Sequence, residues 1–146
     1  MSNRIEDYGL IGDCETAALV GRDGSVDWLC WPAFDSDACF AALLGTPEHG
    51  RWLIAPAKEV TRTSRRYRGD TLILETRFET ADGVVELIDF MPPRGNASDV
   101  VRLVRGVSGR VKLRMQLVIR LASARTFPGS RRTLTVRGCW RSAGPI

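Results

Sequence analysis

The residues best suited to chemistry in this chain lie between Trp31 and Asp37, in the run WPAFDSD. The Trp31 and Phe34 rings could stack on the apolar faces of sugar rings, because aromatic side chains offer large flat surfaces. The carboxylates of Asp35 and Asp37 could accept hydrogen bonds from sugar hydroxyls. The run therefore predicts a loop that is the first place in the chain to look for function. The alternative is that Trp28, Trp31 and Phe34 fill an apolar core.

The remaining acidic side chains do not by themselves predict a catalytic centre. The chain has 17 acidic residues, so carboxyl pairs are easily found. We expect turn and cap interactions for Asp13, Asp23 and Asp27, since aspartate readily accepts hydrogen bonds from nearby backbone N–H groups. No G-x-S-x-G nucleophile motif, phosphate-binding loop or dinucleotide-binding glycine motif is present. The sequence predicts no catalytic residue and no cofactor.

Cysteine and histidine usage predicts no metal site. The four cysteines form no C-x-x-C pair, and His49 is the single histidine. We expect Cys14, Cys30 and Cys39 to be reduced and to pack as small apolar side chains. The opening MSNRIEDYG has no apolar signal segment, and no apolar run could cross a bilayer. These features predict a cytoplasmic protein without a membrane partner.

The formal net charge of +4 comes from the end of the chain. Residues 121–146 contain five arginines and no acid, so 21 basic and 17 acidic residues become 16 and 17, or −1, for residues 1–120. A nucleic-acid-binding domain carries its basic residues on a folded face, and this one would not. We expect no nucleic-acid partner, since that hypothesis would require the terminal arginines to do the binding.

Hydrophobic periodicity predicts short antiparallel strands. An apolar run from Thr16 to Val20, the turn dipeptide Asp23-Gly24 and a returning strand from Val26 to Cys30 indicate a β-hairpin, with Val26, Trp28 and Cys30 on one face. Further strands are predicted at 52–55, 60–67, 71–79, 84–90 and 99–106. The clearest alternation predicts a half-buried strand with one apolar face, formed by Val111, Leu113, Met115, Leu117 and Ile119.

Helix is predicted only for Ala38 to Gly45, at about two turns. The many short strands, regularly spaced and joined by turns rich in glycine and aspartate, predict the fold class. That class is all-β, and the architecture is an antiparallel β-sandwich.

A long pattern near the start resembles a known family. IEDYGLIGD, from Ile5, and AALVGRDGSVDWLCWPAFDS, from Ala17, are similar to the opening of bacterial trehalase and glucoamylase-like proteins of glycoside hydrolase family 15. The resemblance covers about residues 3–120. It implies a non-catalytic, supersandwich-like N-terminal β-sandwich, followed by an α/α barrel that carries the catalytic glutamates. In such a protein the loop with Trp31, Phe34, Asp35 and Asp37 would wall the substrate cleft or contact the barrel. Since 146 residues make one ordinary domain, we expect the barrel to be absent.

The segment after Arg120 departs from this pattern. Its alternation stops, acids vanish, and arginine, glycine and serine dominate. If the codons from Thr126 onward are read in a shifted frame, they can encode V-P-W-V and then L-L-A-I-G-G-P-D, which resembles the family's continuation. We therefore predict a trehalase-like domain over 1–120 and an aberrant, frameshifted basic tail over 121–146. The sandwich would then be incomplete, with an open sheet edge.

Three functional hypotheses follow. The first is an inactive N-terminal domain whose partner is the catalytic barrel. In the intact protein that barrel would hydrolyse α-glucosides with inversion, and the α-glucoside would be a partner only in that context. The second is a stand-alone β-sandwich module that binds carbohydrate or another protein. The third is a small basic nucleic-acid binder, which requires the tail to be functional.

Overall fold

The computed structural model describes residues 3–120 and consists almost entirely of β-strands in two antiparallel sheets. The predicted all-β sandwich is confirmed. The strands are β1 (Tyr8–Gly12), β2 (Ala17–Gly21), β3 (Ser25–Cys30), β4 (Ala38–Phe40), β5 (Arg51–Pro56), β6 (Arg62–Tyr67), β7 (Leu74–Thr80), β8 (Gly83–Phe90), β9 (Val101–Gly109) and β10 (Leu113–Val118). Sheet A has the order β1-β2-β3-β5-β10, with β4 paired to β3, and sheet B has the order β6-β7-β8-β9.

The β2–β3 hairpin forms where the sequence predicts it. Gly24 has φ +83°, a conformation that favours glycine, and its N–H donates to the Gly21 carbonyl at 3.0 Å. A bulge changes the predicted alternation, because Leu19 pairs with Trp28 while Val20 pairs with Val26. Val26 therefore shares the core face with Leu29, and not with Trp28 as predicted.

Two apolar clusters fill the space between the sheets. The larger contains eight buried residues, and partly buried side chains including Trp31 and Trp52 pack against it. Its buried members are Ile11, Ala18, Val20, Val26, Leu29, Phe40, Leu74 and Met91. The smaller consists of Phe78, Val85 and Leu87, packed against partly buried residues that include Val111 and Leu113 of the β9–β10 region.

Several boundaries differ from the sequence predictions. The predicted helix at 38–45 is wrong: Ala38–Phe40 is strand β4, and only Ala42–Leu44 forms a single 3₁₀ turn. Phe40 pairs with Leu29 and is buried in the larger cluster, so tertiary packing outweighs the local helical preference. Strand β9 also continues to Gly109, three residues beyond the predicted strand end. Other 3₁₀ turns lie at Ile5–Asp7 and Pro47–His49.

Strands β9 and β10 carry many exposed side chains. These strands are consecutive in the chain but lie in different sheets, each at the edge of its sheet as described. Met115 belongs to the predicted core face of β10, yet its side chain is 57% exposed. Across the described residues no helix is both long and apolar enough to span a membrane.

Candidate functional site

The loop of candidate residues begins where β3 ends and is closed by its own hydrogen bonds. The Trp31 N–H donates to the Asp37 carbonyl at 3.3 Å, and the Trp31–Pro32 peptide is cis. Inside the loop, the Ser36 N–H donates to the Ala33 carbonyl at 3.0 Å. The Ala33 N–H in turn donates to Ser36 Oγ at 3.1 Å. Residues 31–37, called the 31–37 loop below, thus form a compact turn.

The structure separates the two aromatic candidates. Trp31 is half-buried and packs against the larger core cluster, while the Phe34 ring is 63% exposed. Asp35 and Asp37 are exposed on the same loop. Burial raises the pKa of the neighbouring Cys30 thiol, and the negative charge of Asp37 adds to this effect. The loop therefore presents one ring and two carboxylates to solvent, with Trp31 beneath them.

Arg94 fastens this loop to the rest of the domain. Its guanidinium Nη2 donates to the carbonyl of Pro32 and lies 2.9 Å from Asp13 Oδ2, while Nε donates to the same carboxylate oxygen at 3.0 Å. The same group bonds to Ser98 Oγ at 3.0 Å and pairs with Glu15 Oε2 at 3.0 Å. One side chain thus joins the turn at 13–16, the 31–37 loop and its own irregular segment at 92–99.

The Asp13 carboxylate that pairs with this guanidinium is buried and held by backbone hydrogen bonds. Its side chain is 1% exposed, and Oδ1 accepts hydrogen bonds from the backbone N–H groups of Glu15 at 3.0 Å and Thr16 at 2.9 Å. Burial raises the pKa of this carboxyl, but these N–H groups, Arg94 and Ser98 outweigh burial and lower the pKa to about 2. The predicted turn role of Asp13 is confirmed. Its partner Arg94 could not be predicted from the sequence, because it lies 81 positions away in a segment without periodicity.

Other buried carboxylates also have structural partners. Asp89 forms an ion pair with Arg102, and both side chains are 0% exposed. Glu75 pairs with Arg66 and Arg68, which together lower its pKa despite burial. Asp27 accepts hydrogen bonds from the hydroxyls of Tyr8, at 2.7 Å, and Ser25. Among residues 3–120 no group of histidine, cysteine and acidic side chains could hold a metal ion.

Comparison with known proteins gives consistent matches. A family model described as "Trehalase-like, N-terminal" matches residues 1–131. A trehalase of Mycobacterium tuberculosis is 32% identical over 130 residues, covering 76% of this chain and 19% of that protein. A trehalase of Mycolicibacterium smegmatis is 42% identical over 79 residues, covering 54% of this chain and 12% of that protein. Trehalase 1 of Sulfolobus acidocaldarius is 36% identical over 101 residues, covering 69% of this chain and 17% of that protein.

These matches share one feature. The chain spans between 12% and 19% of the length of these relatives. No solved structure matches the chain.

Proposed function

Because the chain belongs to the trehalase-like N-terminal domain family, we propose that it is the non-catalytic N-terminal domain of a glycoside hydrolase of family 15 type. Its partner is a catalytic α/α barrel, which supplies the acid and base carboxyls for inverting hydrolysis of an α-glucoside. Trehalose is the substrate we propose first, since the matched relatives are named trehalases. The domain supports and orients that barrel.

The observation that carries this proposal is the match of the family model over residues 1–131. The aligned parts of the relatives make up at most 19% of their length in the comparisons above, so most of each relative lies outside this domain. A domain of this size at one end of a large hydrolase is suited to a supporting role.

Two buried carboxylates, those of Asp13 and Asp89, are held in ion pairs, which supports a non-catalytic role for them. Inverting hydrolysis needs a protonated acid and an ionised base on either side of the scissile bond. The pKa of Asp13 lies at about 2, because backbone N–H groups and Arg94 stabilise its charged form against the effect of burial, so it would not hold a proton at neutral pH. Burial raises the pKa of Asp89, but this carboxyl is sealed against Arg102 with no exposed surface for a sugar.

The 31–37 loop is the part of the domain that we propose contacts the barrel or lines its substrate cleft. The exposed Phe34 ring, with Asp35 and Asp37 beside it, supports this role. Buried aromatic anchors contribute strongly to protein–protein contacts, and the same rings can stack on sugars. Trp31 has a supporting role in this proposal, because it packs beneath the loop against the core.

The compartment we propose is the cytoplasm. Cys14, Cys30 and Cys39 are free thiols in the structure. Burial raises the pKa of Cys39 to about 11, which suits a packing role better than a reactive one.

Two measurements test the proposed function. The purified chain should release no glucose from trehalose or malto-oligosaccharides above the level of a blank. A chimeric Mycobacterium tuberculosis trehalase, carrying this chain in place of its aligned segment, should hydrolyse trehalose. A folded but inactive chimera, or a chain that hydrolyses trehalose unaided, would contradict the proposal.

A stand-alone carbohydrate-binding module is the second candidate, favoured by the exposure of Phe34. Calorimetric titration of the purified chain with trehalose and maltotriose separates the two. Sugar binding that is lost on Phe34→Ala would favour the module over the supporting domain.

A further inference from the structure

Arg94 is linked to two stretches of chain that are distant in sequence and to a residue of its own segment. It bonds to Asp13 and Glu15 in the first turn, to the Pro32 carbonyl in the 31–37 loop, and to Ser98 beside itself. The Arg94 side chain is 14% exposed and that of Asp13 is 1% exposed, so this pair lies in a mostly water-excluded region where charged hydrogen bonds are strong. The Glu15 side chain is 59% exposed, so its pair with Arg94 is weaker. Removal of Arg94 would therefore weaken the attachment of the loop to the turn.

The loop depends on these contacts because Phe34 has little packing of its own. The ring is 63% exposed, and its backbone N–H donates to the Glu15 carbonyl at 3.0 Å. Glu15 belongs to the same turn as Asp13, which Arg94 holds through the carboxylate. The position of the exposed ring is thus set by backbone contacts to a turn that the guanidinium stabilises.

Lysine could not reproduce this arrangement. The guanidinium is a planar fork with five N–H donors, and at Arg94 it serves two carboxylates, one carbonyl and one hydroxyl in different directions. An ammonium group is a compact point charge that would keep the attraction to Asp13 and lose the bond to Pro32. The conservative substitution therefore separates charge from geometry.

We propose that Arg94 is a positioning residue: it holds the 31–37 loop on the Asp13 turn and so places Phe34 for its contact with the catalytic domain. This inference rests on the proposed function of the chain as a domain of a larger hydrolase. It assigns the placement of the loop to the Arg94 guanidinium and its buried pair with Asp13, which neither the sequence pattern nor the family match indicates.

The experiment uses the chimeric trehalase described above, with Arg94→Lys, Phe34→Ala and the double variant. Arg94→Lys should lower kcat/KM for trehalose by about tenfold, since small misplacements of a contact weaken the assembly of a site. Phe34→Ala should cause a similar loss, and the double variant should lose no more than either, because both changes remove one interaction. Hydrogen exchange of the Phe34 amide should be faster in Arg94→Lys, with that of Leu19 in β2 unchanged.

Two matched substitutions serve as controls. Arg66→Lys alters an ion pair with Glu75 on sheet B that has no contact with the loop, and kcat/KM should stay unchanged. Arg102→Lys alters the buried pair with Asp89 and should lower Tm without accelerating exchange at Phe34. The inference is wrong if the Arg94→Lys chimera has the same kcat/KM for trehalose as the unsubstituted chimera. It is also wrong if Arg94→Lys and Arg102→Lys have equal Tm values and lose equal amounts of kcat/KM. A folded but inactive unsubstituted chimera would instead refute the proposed function, before any substitution is made.

Discussion

At the scale of single residues, Arg102 connects the two sheets through polar contacts. Its Nε donates to Asp89 Oδ1 at 2.7 Å, Nη2 donates to the Gly24 carbonyl at 2.7 Å, and Nη1 donates to the Trp52 carbonyl. The guanidinium also lies 5.3 Å from the centre of the Trp52 ring, a cation–π distance. Because Asp89 is in sheet B while Gly24 and Trp52 belong to the sheet A side, the ion pair fixes how the sheets face each other.

Asp89→Asn should destabilise the domain strongly, because it leaves a fully buried guanidinium without its counter-charge. We expect a loss of about 3–5 kcal/mol in the free energy of unfolding, measured by urea denaturation. Asp82→Asn is the control, since Asp82 pairs with Lys58 at the surface and should cost less than about 1 kcal/mol. Equal losses for the two variants would contradict a structural role for the buried pair.

Asp13 makes the stability of the domain sensitive to acid. Its pKa of about 2 lies below the ordinary 3.8, because backbone N–H groups, Arg94 and Ser98 favour the charged form more than burial opposes it. A lowered folded-state pKa gives stability above the unfolded pKa that is lost as pH falls from about 4 to about 2. The contribution is about 2 kcal/mol.

Asp13→Asn should therefore lower the free energy of unfolding at pH 5. At pH 2 the variant and the unsubstituted domain should have nearly equal stability. Urea midpoints measured at pH 5, 4, 3 and 2 for both proteins provide the test. The difference between them should narrow steadily toward low pH. A difference that stays constant over this range would show that the carboxylate's charge is not what stabilises the turn.

At the scale of elements, the β2–β3 turn depends on a glycine for two reasons. Gly24 has φ +83°, and a Cβ atom there would lie 2.2 Å from the carbonyl oxygen of Ile54 in β5. The Ile54 N–H in turn donates to the Gly24 carbonyl at 3.1 Å, so the turn is part of the contact between β3 and β5. The close approach explains why this position accepts no side chain.

Gly24→Ala should cost more than about 2 kcal/mol, since it combines an unfavourable φ with a collision against backbone. Gly69→Ala is the control: Gly69 has φ +53°, but a Cβ atom there meets nothing within 4 Å. That substitution should cost only about 1 kcal/mol, from conformation alone. Thermal unfolding followed by circular dichroism compares them, and equal shifts in Tm would argue against the collision.

At the scale of the whole molecule, charge and apolar exposure are unevenly distributed along the chain. Residues 23–50 contain five acids and neither lysine nor arginine, whereas residues 100–120 contain six basic residues and no acid. The second stretch includes β9 and β10, together with five exposed large apolar side chains: Leu103, Val104, Val107, Met115 and Ile119. A sheet edge with exposed apolar side chains tends to associate with other chains.

Met115→Lys should reduce self-association of the purified chain, because it puts a charge on the exposed part of the β10 apolar face. Sedimentation velocity over a range of concentrations measures the effect. Leu72→Lys is the control, since Leu72 is similarly exposed but precedes β7, away from β9 and β10. A loss of association that is equal in both variants would indicate a general charge effect and not an edge contact.

The frameshift hypothesis for residues 121–146 lies outside the described residues and stays a prediction. The family match ends at residue 131, eleven positions after Arg120. Genomic DNA that continues in a shifted frame into a barrel-encoding region would support the hypothesis. A tail preserved in its present frame among close homologues would contradict it.

The sequence by itself determined the elements whose signals are local. The Asp23-Gly24 turn and the apolar runs around it predict the β2–β3 hairpin, because a tight turn and alternation depend on neighbouring residues. The regular spacing of short strands and turns likewise predicts the β-sandwich, and the family resemblance implies the same fold. The same local reasoning places aromatic and acidic side chains together in the 31–37 loop.

Only the tertiary structure decided what depends on contacts across the chain. Local preference predicts helix at Ala38, but pairing of β4 with β3 buries Phe40 and makes it a strand. Arg94 has no local pattern, yet the fold brings it to Asp13, 81 positions away, and so sets the loop that carries Phe34. The physical reason is that burial and ion pairing are properties of the assembled sheets, and these energies outweigh the weak preferences of short segments.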